Sequence, residues 1–434
     1  MNRQILRLAI PNIISNVTVP LLGLVDLAVL GHLESEVYIG AIALGGVLFN
    51  FLYWGFGFLR MGTSGFTAQA FGQHNLSEAV HTLVRALLVA GLGGFFIILV
   101  KSPIGWIAFN LLEGNRDVTF LAKQYYSIRV FAAPATLGLY ALTGWFIGMQ
   151  NAKAPMIIAI VANLVNVGMD FFFVFVLGMK SDGVALGTVI AQYTGLIIAL
   201  VILFRYYRRL FKYFIRQIAF KATAFGSFFS VNANILIRTL FLIFVFSFFT
   251  SKSAAQNDRM LAVNTLLLQF LMVFSYFTDG FAYAAEALTG KYIGSKNPAR
   301  LHQTIRLLFR WGLGITIPFT MAYAITGTSI LNILTNNQEV IDSCRPYFFW
   351  VLLLPLAGFP SYLWDGIYIG ATAGRGLRNT MLLSTMVVFL PVWFLTRSSM
   401  GNHGLWLALT LFLVARGLSQ WIAARRAVYA KANR

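Results

Sequence analysis

Long apolar stretches follow one another along the whole chain, separated by short polar breaks. A helix needs roughly 20 apolar residues to cross a bilayer, and twelve stretches come close to that length. Their predicted limits are 11–31, 39–66, 80–100, 119–149, 154–177, 183–204, 226–250, 260–288, 303–326, 345–371, 379–396 and 403–424. The pattern predicts an all-α membrane protein with twelve transmembrane helices.

The second half of this pattern repeats the first at an offset of 222 residues. The recurring positions are the pairs Gly72/Gly294, Asn75/Asn297, Gly144/Gly366 and Gly148/Gly370. With six helices in each half, the halves share one orientation and are related by a pseudo-two-fold axis along the membrane normal, as in many secondary transporters. We therefore expect two six-helix lobes, residues 1–204 and 223–434, joined by a basic amphipathic cytoplasmic linker at 205–222.

Composition supports a membrane protein and changes the meaning of the net charge. The chain is 58% hydrophobic and 11% charged, with a mean hydropathy of +0.74, whereas soluble proteins carry roughly 25% charged residues. The formal charge of +19 arises mainly in alternate loops, and densely at 205–221, next to anionic lipid. This distribution places both termini in the cytoplasm and makes membrane lipid, not nucleic acid, the expected partner.

Acidic residues inside the predicted helices are the main candidates for function. Each costs about 2.5–3.5 kcal/mol at a helix centre, so such residues are expected to face a cavity or a partner. Five of the fourteen acidic residues lie in these positions, namely Asp26, Asp170, Asp279, Glu286 and Asp365.

The first half combines two of these carboxylates with neutral oxygen atoms. Asp26 has no basic residue within its own predicted span, 11–31, which suits a group that binds and releases a proton. Asn163, Asn166 and Asp170 are spaced three and four residues apart and share one helical face, which Thr188 of the next helix can join. These groups also suit a hard cation such as Na⁺. For the asparagines, the alternative is that they only join neighbouring helices.

Two prolines precede Asp26 in the first helix. Pro11 and Pro20 can bend that helix and so act as a hinge when the carboxylate is loaded. A fixed kink is the alternative interpretation, because proline is frequent in membrane helices.

The second half carries a stripe of tyrosines and acids. Tyr276, Asp279, Tyr283 and Glu286 recur at helical spacing, and Asp365 is the expected neighbour from the tenth helix. We expect this set to line a substrate cavity. Arg238 is the obvious countercharge, either as a static ion pair or as part of transport. Arg416 lies near a cytoplasmic end, where its side chain is expected to reach the interface.

The candidate residues do not indicate an enzyme. Hydrolysis needs a nucleophile with a base, or a set of metal ligands, and the predicted helices contain neither a Ser/His pair nor a His-x-x-x-His cluster. We expect no enzymatic activity and no cofactor. A channel stays open as an alternative to a transporter.

Several motifs stand in a fixed order along both halves of the chain. They are Asp26 with Gly31-His32, the stretches 59–63 and 67–70, Asn166 with Asp170, the stretch 279–286, Asp365-Gly366 with 369–372, and the stretch 401–410. Together they resemble the multidrug and toxic compound extrusion (MATE) transporters, within them the DinF-like branch. The resemblance implies two six-helix lobes and export of bulky, often cationic or amphipathic compounds, driven by H⁺ or Na⁺ and alternating access.

The same resemblance implies roles for individual residues. It places a cation site, which drives drug release, at Asp26, Asn166, Asp170 and Thr188, and makes Asp279, Glu286 and Asp365 part of the cavity. We expect a monomer in a bacterial inner membrane. The alternative is a lipid-linked saccharide flippase of the same wider superfamily, whose pyrophosphate would need a cavity rich in Arg and Lys.

Overall fold

The protein is helical throughout the part of the chain that this computed structural model describes. That part covers residues 1–31, 36–111 and 115–433, without the side chains of 19–31, 36, 39 and 111. Eleven helices in it are long and apolar enough to cross a membrane, and the 30-residue first helix precedes them. The prediction of an all-α membrane protein is confirmed.

The twelve helices are numbered in chain order. They are α1 (Asn2–Gly31), α2 (Glu36–Gly55 and Gly57–Gly72), α3 (Leu76–Leu99), α4 (Arg116–Arg129 and Ala133–Gly148), α5 (Lys153–Phe171), α6 (Ser181–Tyr207), α7 (Ala222–Ala254), α8 (Asp258–Gly294), α9 (Pro298–Leu334), α10 (Phe348–Gly370), α11 (Gly374–Leu383 and Leu390–Met400) and α12 (Asn402–Ala424). Two shorter helices, Lys101–Leu111 and Gln338–Cys344, precede α4 and α10.

The helices pack into two compact units. The N-terminal unit comprises Ile14–Phe71 and Asn75–Ser227, and the C-terminal unit comprises Met1–Ile13, Gly72–His74 and Phe228–Arg434. The start of α1 therefore packs with the second half of the chain. There, a methyl group built on Gly280 would lie 3.0 Å from the Ala9 carbonyl oxygen.

The repeat seen in the sequence recurs in the turns that start α3 and α9. Asn75 and Asn297, one per half, each accept a hydrogen bond from the backbone N–H three residues later, at 3.0 Å in both cases. Such side-chain caps satisfy donors that a helix N-terminus leaves open. The residues just before them, His74 and Lys296, have φ values of 54° and 49°. Residues at equivalent positions of the repeat therefore adopt the same local backbone conformation.

The glycines of the repeat hold two helices in close contact within each unit. A methyl group on Gly144 would lie 2.3 Å from the Arg60 carbonyl oxygen, and one on Gly366 would lie 2.1 Å from that of Ala282. Gly148 approaches the Ser64 carbonyl in the same way, as Gly370 approaches that of Glu286. Small residues four apart let membrane helices approach closely. Thus α2 meets α4 as α8 meets α10.

The predicted linker is folded onto the N-terminal unit. Residues 208–213 form a 3₁₀ turn and Arg216–Ala219 a short helix, so the segment is not one amphipathic helix. The buried Arg85 of α3 donates from Nε to the Ala219 carbonyl at 2.8 Å, and His81 Nε2 accepts from the Ile215 N–H at 3.1 Å. The division into lobes at 205–222 stays a prediction.

Candidate functional site

In the N-terminal unit, one face of α5 carries a buried carboxylate. Asp170 is 0% exposed and Asn166, one turn earlier, is 2% exposed. The Asn166 amide donates from Nδ2 to Asp170 Oδ2 at 3.1 Å. The predicted face therefore exists, and it points into the protein.

Helix α6 supplies the opposite wall of this site. A methyl group on Gly187 would lie 2.2 Å from Asp170 Oδ1, so only glycine lets the carboxylate keep its place. The next residue, Thr188, is half-buried, and its hydroxyl donates to the Val184 carbonyl at 3.0 Å. Because that bond uses the proton, the Thr188 oxygen keeps its acceptor lone pairs.

Asn163 lies two turns before Asp170 on the same helix. It is half-buried, and its Nδ2 atom is buried with no hydrogen-bond partner among the described residues. A buried amide donor without a partner is uncommon in folded proteins. The structure therefore places Asn163, Asn166 and Asp170 on one helix, with Thr188 on the helix packed beside it.

The predicted ion ligand and the predicted hinge of α1 are only partly covered by the described residues. The side chains of Asp26 and Pro20 are outside the described residues. Pro11 is buried near the start of α1, which is a continuous helix from Asn2 to Gly31. Their roles as ion ligand and hinge stay predictions.

The described groups can serve a proton or a small hard cation. A carboxylate, an amide and a hydroxyl are oxygen ligands, the type that hard cations prefer. A carboxylate in such a place can equally take up a proton, which removes its charge and turns one oxygen into a donor. The residues fit H⁺ and Na⁺ alike.

The C-terminal unit treats its buried carboxylate differently. Asp365 of α10, 6% exposed, forms ion pairs through Oδ2 with Arg238 of α7 and, at 2.6 Å, with Arg416 of α12. Its other oxygen accepts from Gln420 Nε2 at 2.6 Å. Two arginines and an amide thus surround one carboxylate, which leaves it fully compensated in this arrangement.

The rest of the predicted stripe lies on α8. Tyr276, Asp279 and Tyr283 are half-buried, and Glu286 is 1% exposed. Asp279 is close enough to interact electrostatically with both Arg238 and Arg416. The structure therefore joins the α8 stripe to the Asp365 cluster through charge.

The position of Arg416 was predicted incorrectly. Its side chain does not extend to an interface but is 1% exposed, 5.9 Å from the centre of the Tyr362 ring. Sequence reasoning also missed Gln420 and Gly187. Arg416 and Gln420 are four residues apart on one face of an apolar helix, and that spacing was the available signal.

Comparisons with known proteins agree with this geometry. The family model described as MatE matches residues 11–172 and 230–395. The chain is 38% identical to the DNA damage-inducible protein F of Escherichia coli K12, over 96% of this chain and 91% of that protein. It is 20% identical to a probable multidrug resistance protein NorM of Photorhabdus laumondii, over 97% and 94% of the two chains.

A solved structure is similar in fold. The Vibrio cholerae MATE transporter VcmN in the bent form superposes with a TM-score of 0.88 at 17% identity, covering 99% of this chain and 97% of that one. The apolar helices and the family match define a multi-pass membrane transporter, not an enzyme. The family match over both halves and the 38% identity also identify the family of transporters. The chain belongs to the MATE family of multidrug efflux transporters, and a lipid-linked saccharide flippase is not favoured.

Proposed function

We propose that this protein is a cation-coupled efflux antiporter that exchanges H⁺ or Na⁺ for drugs or amphipathic compounds by alternating access. The ion binds at Asp26, Asn163, Asn166, Asp170 and Thr188. The protein works as a monomer in a bacterial inner membrane with both termini in the cytoplasm. A relative of this chain, NorM of Photorhabdus laumondii, is a probable multidrug resistance protein.

The observation that carries the proposal is the setting of Asp170. This carboxylate is 0% exposed, is held by a neutral amide, and has a glycine opposite it. Charged groups inside membrane proteins are costly and are retained chiefly for function. At Asp365 an incoming proton or cation would have to displace two arginines.

The proposed cycle begins when an ion enters from the outside. Protonation of Asp170 abolishes its charge and turns one of its oxygens into a donor, which weakens the bond from Asn166 and alters the contact at Gly187. Asp26 on α1 takes part in binding the same ion, and α1 then bends at Pro11 and Pro20. The drug is then released to the outside, the protein reopens to the cytoplasm, and the ion leaves. The bent form of the Vibrio cholerae relative supports a bending step.

Membrane potential can power this exchange. One positive charge moving inward through 100 mV releases about 2.3 kcal/mol. For an uncharged exported compound, that energy corresponds to roughly fortyfold accumulation at equilibrium. One coupled ion therefore suffices for useful export.

We propose that the substrate binds in a cavity lined by Tyr276, Asp279, Tyr283 and Glu286, to which Asp365 and Arg238 also contribute. The aromatic rings suit flat organic molecules. The half-buried Asp279 suits a cationic group on the substrate, whereas the neighbouring arginines suit an anionic one. Efflux of matched fluorescent cations and anions from vesicles decides between these substrates.

The ion site is tested by transport in proteoliposomes under an imposed pH or Na⁺ gradient. Asp170→Asn keeps the size of the side chain and removes its charge, so gradient-driven dye efflux should fall to background. Asp26→Asn should do the same. The control is Asp117→Asn, which changes an exposed acid at the start of α4 and should leave efflux unchanged.

A second pair of variants tests the geometry of the site. Gly187→Ala pushes a methyl group against Asp170 Oδ1 and should impair efflux strongly. Gly168→Ala, where a methyl group would meet nothing within 4 Å, is its control. Retained gradient-driven efflux in Asp170→Asn would remove this residue from coupling.

A further inference from the structure

A groove opens on the C-terminal unit between α9, α10 and α12. Its volume is about 750 Å³, within the range of pockets that enclose small organic molecules. Helix α10 forms the floor at Ala357 and Pro360, while α9 and α12 form the walls. Gly417 brings α12 close to Pro360, since a methyl group on Gly417 would lie 3.1 Å from the Pro360 Cβ.

The walls of the groove are apolar and aromatic. Phe309 and Leu313 line it from α9, and Leu418 and Trp421 from α12. Leu418 and Trp421 are 53% and 64% exposed, so a large apolar surface faces out of the unit at this point. Such a surface suits an acyl chain.

Two arginines stand at one end of the same groove. Arg306 and Arg310 lie one turn apart on α9, and both are exposed. Neither has a hydrogen-bond or ion-pair partner within the described ranges of the chain. No acidic residue belongs to the groove lining that the structure describes. The site therefore presents two uncompensated positive charges beside an apolar trough.

A second, smaller groove continues this basic end. It shares Trp421 and Tyr429 with the first and adds Arg425. His302 stacks on the Tyr429 ring with centroids 4.4 Å apart. Tryptophan and tyrosine favour the level of the lipid headgroups, which sets the arginines at that level too. By the distribution of basic residues, this end faces the cytoplasmic leaflet.

We propose that the groove is a binding site for one anionic phospholipid of that leaflet. The phosphate of the headgroup pairs with Arg306 and Arg310, and one acyl chain lies in the trough over Ala357, against Phe309 and Leu418. Basic pockets between transmembrane helices are known to bind anionic headgroups. This site is separate from the proposed ion and substrate sites and does not depend on them.

The experiment is native mass spectrometry of the full-length protein released from mixed vesicles of phosphatidylglycerol and phosphatidylcholine. We expect one retained phosphatidylglycerol, preferred about thirtyfold over phosphatidylcholine because two basic side chains attract it. The double variant Arg306→Gln/Arg310→Gln should lose this preference, and Arg306→Lys/Arg310→Lys should keep most of it. Gel filtration of each variant confirms that it is folded.

Two further variants separate the groove from general surface charge. Arg205→Gln/Arg209→Gln removes two exposed arginines at the same spacing outside the groove and should retain the lipid. Ala357→Phe fills the trough but keeps both arginines, and should lose the lipid. Equal loss in both arginine double variants, unchanged binding in Ala357→Phe, or equal retention of the two lipids by the native protein would overturn the proposal.

Discussion

Asp170 in the N-terminal unit and Asp365 in the C-terminal unit are both buried carboxylates, 0% and 6% exposed. Asp365 is held by two arginines and a glutamine amide, whereas Asp170 is held by an asparagine amide beside a glycine. A charged partner fixes a carboxylate in its ionised form. A proton or cation therefore has to compete with two arginines at Asp365, whereas at Asp170 we propose that it binds alongside Asn166 and Thr188.

The two acids are also not equivalents in the repeat. The offset that relates Gly144 to Gly366 pairs Asp365 with Thr143 and Asp170 with Val392. Thr143 simply donates to the Leu139 carbonyl at 2.6 Å. The units thus share a scaffold of helix contacts, but each buried carboxylate stands where the other half has a different residue, Thr143 or Val392.

The largest expected effect comes from removing the charge of Asp365. Asp365→Asn should lower the free energy of unfolding by about 3–5 kcal/mol, because Arg238 and Arg416 lose their countercharge. Asp170→Asn should lower it by about 1 kcal/mol or less, since the amide still reaches Asn166. Denaturant unfolding in detergent measures both. Equal losses would break the comparison.

A smaller effect is expected from the shared glycine contacts. Gly144→Ala and Gly366→Ala each place a methyl group against a backbone carbonyl and should cost about 1–3 kcal/mol of stability. The controls Gly168→Ala and Gly314→Ala, which meet nothing within 4 Å, should be neutral or stabilising. A large loss in one unit only would show that the contact is not shared.

The smallest expected effect distinguishes the amide of Asn166 from that of Gln420. Asn166→Leu should change the apparent affinity for the coupling ion about tenfold, or 1.4 kcal/mol. Affinity for Na⁺ should fall because an oxygen ligand is lost, whereas affinity for H⁺ should rise because the ionised Asp170 loses a hydrogen-bond donor. Gln420→Leu removes the matching bond to Asp365 and should leave that affinity unchanged. Initial rates of dye efflux against pH or Na⁺ concentration measure this. An altered ion affinity in Gln420→Leu would place coupling in the C-terminal unit as well.

Much of the fold followed from the sequence because membrane helices carry long apolar runs and the two halves repeat. Asn163, Asn166 and Asp170 followed from helical spacing. Arg416 did not, because hydropathy treats a basic residue near a helix end as interfacial, whatever its partner. Gly187 was missed for a different reason: a glycine's role lies in what packs against it, here Asp170.

The packing of α1 was also beyond the sequence. Met1–Ile13 belong to the C-terminal unit, although they begin the first half. The close approach of Ala9 to Gly280 joins segments about 270 residues apart, and no local pattern encodes such a pairing. Local periodicity predicts elements, while long-range contacts need coordinates.

The matched turns at His74 and Lys296, and the matched glycine contacts between helices, have a consequence for how such a chain can be built. A single six-helix ancestor that paired with its own copy would already possess both halves of this framework. Joining two copies in one chain frees each half from having to match the other. The arginine cluster around Asp365 can then form in one half while Thr143 occupies the equivalent position in the other.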